Sequence, residues 1–175
     1  MGGIDVLVNN AGIRKFNHLT NATPESWQDI ISVNLLGTAN CSKAAMPYLR
    51  KSSTGAIVNV SSVYGEIGRK NMGQYDATKA AINSITRTLA HEEAEHGVRV
   101  NSVCPGGTLT PFHQARFAAD GKDKEDINAL QADITLMRRW AKVEEIAYPI
   151  LWLASEEASF ITGAILMADG GKSSM

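Results

Sequence analysis

Basic patches, cysteines and long apolar runs are all scarce in this sequence, and each scarcity excludes something. Seventeen Lys and Arg against 18 Asp and Glu leave a net charge of -1 with no basic stripe, so nucleic-acid or anionic-membrane binding has no electrostatic support. Cys41 and Cys104 are the 2 cysteines; they fit neither a disulfide framework nor a zinc pattern, and both are expected to be small buried hydrophobes. His18, His91, His96 and His113 show no metal spacing, HExxH is absent, and they read as surface or loop residues. No metal is expected. No apolar run is long enough to span a bilayer, and the N-terminus lacks the charged and apolar regions of a signal peptide. The sequons at Asn21, Asn40 and Asn59 then carry no weight. Gly171-Lys172-Ser173 resembles the end of a P-loop, but position 166 is Leu where the first glycine belongs. Aromatics are 6% of residues against 44% hydrophobic, which suits an aliphatic-rich α/β domain better than a disordered chain. The expectation is a soluble, cytoplasmic protein with neither nucleic acid nor membrane as partner.

What is present alternates between short apolar runs and longer helical patterns. Ile4 to Asn9 reads as a buried parallel strand that stops at Asn9-Asn10-Ala11-Gly12. Thr23-Pro24-Glu25-Ser26 is a helix start, with Thr23 as N-cap and Pro24 at the first helical position. Helical spacing of apolar residues continues to about Arg50, with a bend expected near Gly37 or Pro47. Asn34 falls in the middle of that helix among Val33, Leu35 and Leu36, where an asparagine is unfavourable by propensity and needs partners if buried. A second strand runs over 56–62 and is followed by a glycine-bearing loop. A helix from Tyr75 then runs to a C-cap at Gly97. Residues 98–104 form a third strand stopped by Pro105-Gly106-Gly107, and residues 111–135 suggest short helices in a polar excursion. Val143 to Ser155 is another helix, and Ala164 to Ala168 a last strand. Such alternation implies right-handed crossovers and one doubly wound parallel sheet, a three-layer α/β/α domain over residues 1–175.

Ligands of parallel sheets sit beyond the carboxyl ends of the strands. Asn10, Ser62 and Pro105-Gly106 each follow a strand, and the helix after Ser62 brings Tyr75 and Lys79 to the same edge. Four residues apart, those two share a helix face. A tyrosine alone is a poor acid or base near neutral pH, whereas a fixed ammonium close by favours its ionised form. An ordinary surface pair would not be met by three other polar features from separate parts of the chain.

These residues resemble the short-chain dehydrogenase/reductase family. Asn9-Asn10-Ala11-Gly12 looks like its NNAG motif; Asn34, Ser62, Tyr75 and Lys79 match its catalytic tetrad, including the YxxxK spacing and the interval of 13 residues from Ser62 to Tyr75. Pro105-Gly106 with Thr110 resembles the segment that binds the nicotinamide end, and the match runs from residue 4 to 171. The resemblance implies an NAD(P)-dependent oxidoreductase with a Rossmann-like fold that moves hydride between NAD or NADP and a carbonyl or secondary alcohol. Tyr75 would be the general acid/base, Ser62 would hydrogen-bond the substrate oxygen, and Lys79 would hold the ribose hydroxyls and assist Tyr75. Asn34 would anchor, through its backbone, a water leading to Lys79. Asn10, Ala11 and Gly12 would lie against the cofactor, as would Pro105, Gly106, Thr108 and Thr110. Helices over 24–50 and 75–96 resemble those that pair between subunits, which implies a homo-oligomer, a dimer or tetramer.

One departure stands out. The family opens with a TGxxxGxG loop that presents a helix N-terminus to the pyrophosphate, and no such spacing occurs here. The chain therefore reads as an N-terminally truncated domain whose first strand is a raw sheet edge. Residues that separate NAD from NADP normally belong to that missing portion, and the 111–135 excursion does not specify a substrate. The alternative expectation is a catalytically inactive fragment or isoform acting as a binding or oligomerisation partner.

Overall fold

Four parallel strands stand side by side in the order of the chain: β1 (Val6–Asn9), β2 (Ala56–Val60), β3 (Arg99–Pro105) and β4 (Ile165–Ala168). The computed structural model describes residues 2–175 apart from 124, 125, 128 and 131–133. Part of the excursion expected over 111–135 lies outside the described residues. β2 and β3 are the interior strands, and every residue of β2 is buried. In β1, Val6 and Val8 are each 41% exposed, as the alternation of an edge strand with one open face requires.

Helices cover both faces. Thr23 caps α1 (Pro24–Ile30), its Oγ1 accepting from the Ser26 N–H at 3.2 Å, and Pro24 fills the first position, where no donor is needed. The chain then loosens into a π-helical segment, Ile31–Leu36, before α2 (Gly37–Leu49). The irregularity expected near Gly37 or Pro47 is thus a widened turn just ahead of Gly37. Pro47 stays inside α2. α3 (Gly73–Glu93) and α2 pack on one face of the sheet, where Ala45, Met46, Leu49 and Ala90 meet Ile57 and Val100. On the other face α5 (Val143–Ala154) sets Leu153 against Val58 and Val103. Ile57 and Val58 point to opposite layers because successive strand residues alternate. α4 (Pro111–Ala119) follows β3 and begins with Thr110 as N-cap. Gly97, at φ 72°, takes the left-handed conformation that ends the helical run after Glu93.

One cysteine departs from expectation. Cys104 is buried, but Cys41 is exposed. The buried stripe of α2 is Thr38, Ser42, Ala45, Met46 and Leu49, and position 41 falls just beyond its edge. Two stripe positions are polar and survive burial by bonding back one turn: Thr38 Oγ1 donates to the Asn34 carbonyl at 2.9 Å and Ser42 Oγ to that of Thr38 at 2.8 Å. Asn9 and Asn59 face each other in the β1–β2 register and are likewise satisfied. Asn9 Nδ2 donates to Asn59 Oδ1 at 2.8 Å, and Asn59 Nδ2 to Thr86 Oγ1 at 2.9 Å. Among the described residues, no helix is long and apolar enough to cross a membrane.

Candidate active site

β1, β2 and β3 all end at one edge of the sheet, and the segments leaving them wall a cavity of about 310 Å³. Asn10 and Gly12 come from the first, Ser61 and Ser62 from the second, and Pro105, Gly106, Thr108 and Thr110 from the third. The first turns of α3 add Tyr75 and Lys79. Every residue expected at the site converges there except Ala11, which is exposed beside it, and Asn34, which lies behind the wall.

Lys79 is only 4% exposed. Its Nζ donates to the Val60 carbonyl at 2.7 Å and stands 5.5 Å from the centre of the Tyr75 ring. Burial lowers its pKa to about 8, helped by the positive charge of Arg14 and opposed by Cys104. An ammonium has three donors, and the carbonyl occupies one. Tyr75 is 7% exposed, its ring packed with Ile30 and Met72, and no described residue hydrogen-bonds its hydroxyl. The two neighbouring serines divide their tasks. Ser61 Oγ donates to the Lys79 carbonyl at 2.8 Å, which ties β2 to α3. Ser62 Oγ accepts the Tyr64 N–H at 3.2 Å, so its own proton remains available to the cavity.

Asn34 is fully buried and explains its awkward place in the sequence. Its Oδ1 accepts the Ile13 N–H at 2.8 Å, while Nδ2 donates to the Ile13 carbonyl at 3.0 Å and to Thr78 Oγ1 at 3.0 Å. One side chain thereby locks the segment after β1 to α3. The π-helical widening carries that side chain, in keeping with the tendency of such bulges to mark functional positions. Gly12 is pressed into this junction: a Cβ there would come 3.3 Å from Asn34 Oδ1 and 3.6 Å from Lys79 Nζ.

Several lining residues were not anticipated. His113, read from sequence as a surface or loop residue, is half-buried at the cavity near the start of α4, with Nδ1 2.9 Å from Thr110 Oγ1 and Nε2 3.1 Å from Arg14 Nη1. Burial lowers its pKa, and Arg14 adds to the effect. Its ring centre lies 5.4 Å from that of Trp140, which also lines the cavity. The missed cations are Arg14, Arg69 and Lys172. No spacing rule joins them, since they come from the segment after β1, the loop after β2 and the segment after β4.

A nicotinamide cofactor suits the residues present. Lys79 offers two unused donors for a pair of hydroxyls. The Pro105–Thr108 segment lines the cavity, and Gly106 lets it pack against the Asp169 backbone, where a Cβ would lie 2.6 Å from Asp169 Cα. Among the described residues, no group of acidic, His and Cys side chains could hold a metal ion.

A protein-family model described as enoyl-(acyl carrier protein) reductase matches residues 1–173. The 3-oxoacyl-[acyl-carrier-protein] reductase FabG of Thermotoga maritima is 41% identical over 170 residues, which are 97% of this chain and 66% of that protein. A solved structure titled short chain dehydrogenase/reductase family protein superposes with a TM-score of 0.87 at 37% identity, covering 99% of this chain and 69% of that one. ElxO with NADP bound gives 0.91 at 36% identity, covering 100% and 69%. The chain spans about two thirds of the length of these proteins, at 66% and 69%.

Proposed function

Because the chain belongs to the short-chain dehydrogenase/reductase family, we propose that its site moves hydride between NAD or NADP and the carbon of a carbonyl or secondary alcohol, with Tyr75 as general acid/base. The observation that carries this reading is the Lys79 ammonium, buried beside Tyr75 with one protein acceptor for three donors. ElxO, similar over the whole chain, binds NADP, and the reductase from Thermotoga is named for a carbonyl substrate.

Each side chain has a task in this scheme. Lys79 holds the ribose hydroxyls with its two unused donors and keeps a positive charge near the Tyr75 ring. Bound there, the nicotinamide supplies or accepts the hydride. Tyr75 gives its proton to the substrate oxygen in reduction and takes one from it in oxidation, and Ser62 donates a hydrogen bond to that same oxygen. The Asn34 carbonyl accepts from Thr38 and keeps a second lone pair for the water that links Lys79 to solvent. Asn10, Gly12, Pro105, Gly106, Thr108 and Thr110 shape the wall against the cofactor, Thr110 also starting α4. The reading includes a homo-oligomer. Nothing at the site favours the alternative of an inactive binding partner, for no member of the tetrad is replaced.

Tyr75→Phe tests the assignment, with turnover followed by nicotinamide absorbance on a panel of secondary alcohols and ketones. General acid/base catalysis of this kind contributes about 10²- to 10⁴-fold, and a loss of that size is expected with NADP affinity retained. Retained turnover in Tyr75→Phe would overturn the role.

A further inference from the structure

The charge of the cavity wall narrows the substrate. Arg14, Arg69, Lys79 and Lys172 all line it, and no Asp or Glu does so among the described residues. A chain of net charge -1 has no excess of cations to scatter, so four in one cavity reflect where the fold places them. They are not equivalent. Lys79 is committed to Val60 and the cofactor side. Arg69 stacks on Tyr64 at 3.5 Å and has Asp76 at 3.4 Å, which offsets its charge. Arg14 and Lys172 have no carboxylate partner among the described residues. Lys172 Nζ sits 4.9 Å from the Tyr64 ring centre. The Arg14 guanidinium lies 5.6 Å from the centre of the Tyr75 ring, and among the described residues its hydrogen-bond partner is His113, through Nη1.

That partner matters. A neutral imidazole can accept the guanidinium N–H, and burial, helped by Arg14, lowers the His113 pKa and so favours that neutral form. Arg14 is therefore oriented by a group that carries no negative charge, and most of its five donors have no partner among the described residues. Like charges gathered without a counter-anion oppose one another, as Arg14 does by lowering the pKa of Lys79. An oxyanion in the cavity would relieve that opposition. A carboxylate matches the planar fork of Arg14 with two parallel hydrogen bonds.

We propose that the substrate is a small hydroxy or oxo acid whose carboxylate is held by Arg14, with Lys172 adding positive potential, a few bonds from the oxygen that Tyr75 serves. This rests on the oxidoreductase reading above. The carboxylate takes no part in the bond changes; it fixes which carbon faces the hydride carrier.

Equilibrium binding tests it without requiring turnover. Ligand-observed NMR titrations of the full chain, with and without NADP, would compare three acids with their methyl esters: lactate, 3-hydroxybutyrate and 4-hydroxycyclohexanecarboxylate. Hydrogen bonds to charged groups lead to the expectation that at least one acid binds about ten-fold or more tightly than its ester. Arg14→Met should bring that ratio close to one while circular dichroism shows the fold kept. Lys15→Met, at a surface pair with Asp29, should leave it unchanged. Equal binding of acid and ester throughout the panel, including no binding by either, would overturn the proposal. So would an acid preference that survives Arg14→Met, or inorganic phosphate competing as well as the acids, which marks a general anion site. The two readings fail separately. Tyr75→Phe should retain the acid preference, and turnover that survives Tyr75→Phe would sink the acid/base role without touching the carboxylate assignment.

Discussion

Lys79 sets the energetics of the site at the scale of one residue. Its ammonium is 4% exposed, and its pKa falls from 10.5 to about 8. Below pH 8 the group is protonated in both folded and unfolded chains, and only the folded chain carries the burial penalty. Between pH 8 and 10.5 the folded chain releases the proton while the unfolded one keeps it, so stability rises with pH across that window. The penalty relieved is on the order of 3 kcal/mol. Urea melts of the wild type and Lys79→Met, at neutral pH and at pH 10, should show the wild type gaining stability relative to the variant by that order. A constant difference would mean that the ammonium is not desolvated. The convergence of Tyr75, Lys79 and Ser62 was legible in the sequence because a helical spacing and a strand end carry it, and Asn34 stood out as an asparagine in mid-helix. Arg14 and His113 were not, since their roles come from a contact between residues 99 positions apart, which leaves no local pattern.

At the scale of elements, Arg99 at the start of β3 has a reach that the strand pattern does not announce. Nη1 donates to the carbonyls of Leu153 at 2.7 Å and Ala158 at 3.1 Å. Nη2 reaches those of Ser155 at 3.0 Å and Ala154 at 3.4 Å. These are the last carbonyls of α5 and the turn beyond, which have no partner inside the helix. A cation there also suits the negative end of the helix dipole. Arg99→Met should cost about 2–3 kcal/mol, because several carbonyls lose a charged donor at once. Arg99→Lys should recover only part, since a point charge cannot serve a fan of acceptors. Thermal denaturation of the three chains checks the order, and equal melting temperatures would remove Arg99 from the cap. The strands and helices themselves were readable within a residue or two from apolar period and from Thr23, Pro24 and Gly97. The π-helical widening was not, because nothing in the apolar period of Ile31–Leu36 separates it from an α-helix, while the Asn34 bond to Ile13 that accompanies it is a tertiary contact.

For the whole molecule, what the chain leaves uncovered bears on its assembly. The expectation from sequence set subunit pairing on the helices over 24–50 and 75–96. Large apolar side chains are exposed on the other layer as well. Along α5 and the turn after it, Tyr148 is 65% exposed, Leu151 67% and Phe160 fully. Three bulky side chains so exposed within thirteen residues exceed the scattered singles of an ordinary surface. A second copy meeting the same face about a two-fold axis would cover both at once, since such an interface is self-complementary. The homo-oligomer then predicts a definite sensitivity. Leu151→Asp with Phe160→Asp should lower the mass measured by light scattering after size exclusion. The Tyr75–Lys79 cavity, which α5 lines with Ile146 but with neither Leu151 nor the following Phe160, should keep its ligand affinity. An unchanged mass in the double variant would return the interface to α2 and α3, where Tyr48 is 51% exposed, and a monomeric wild type would remove it altogether.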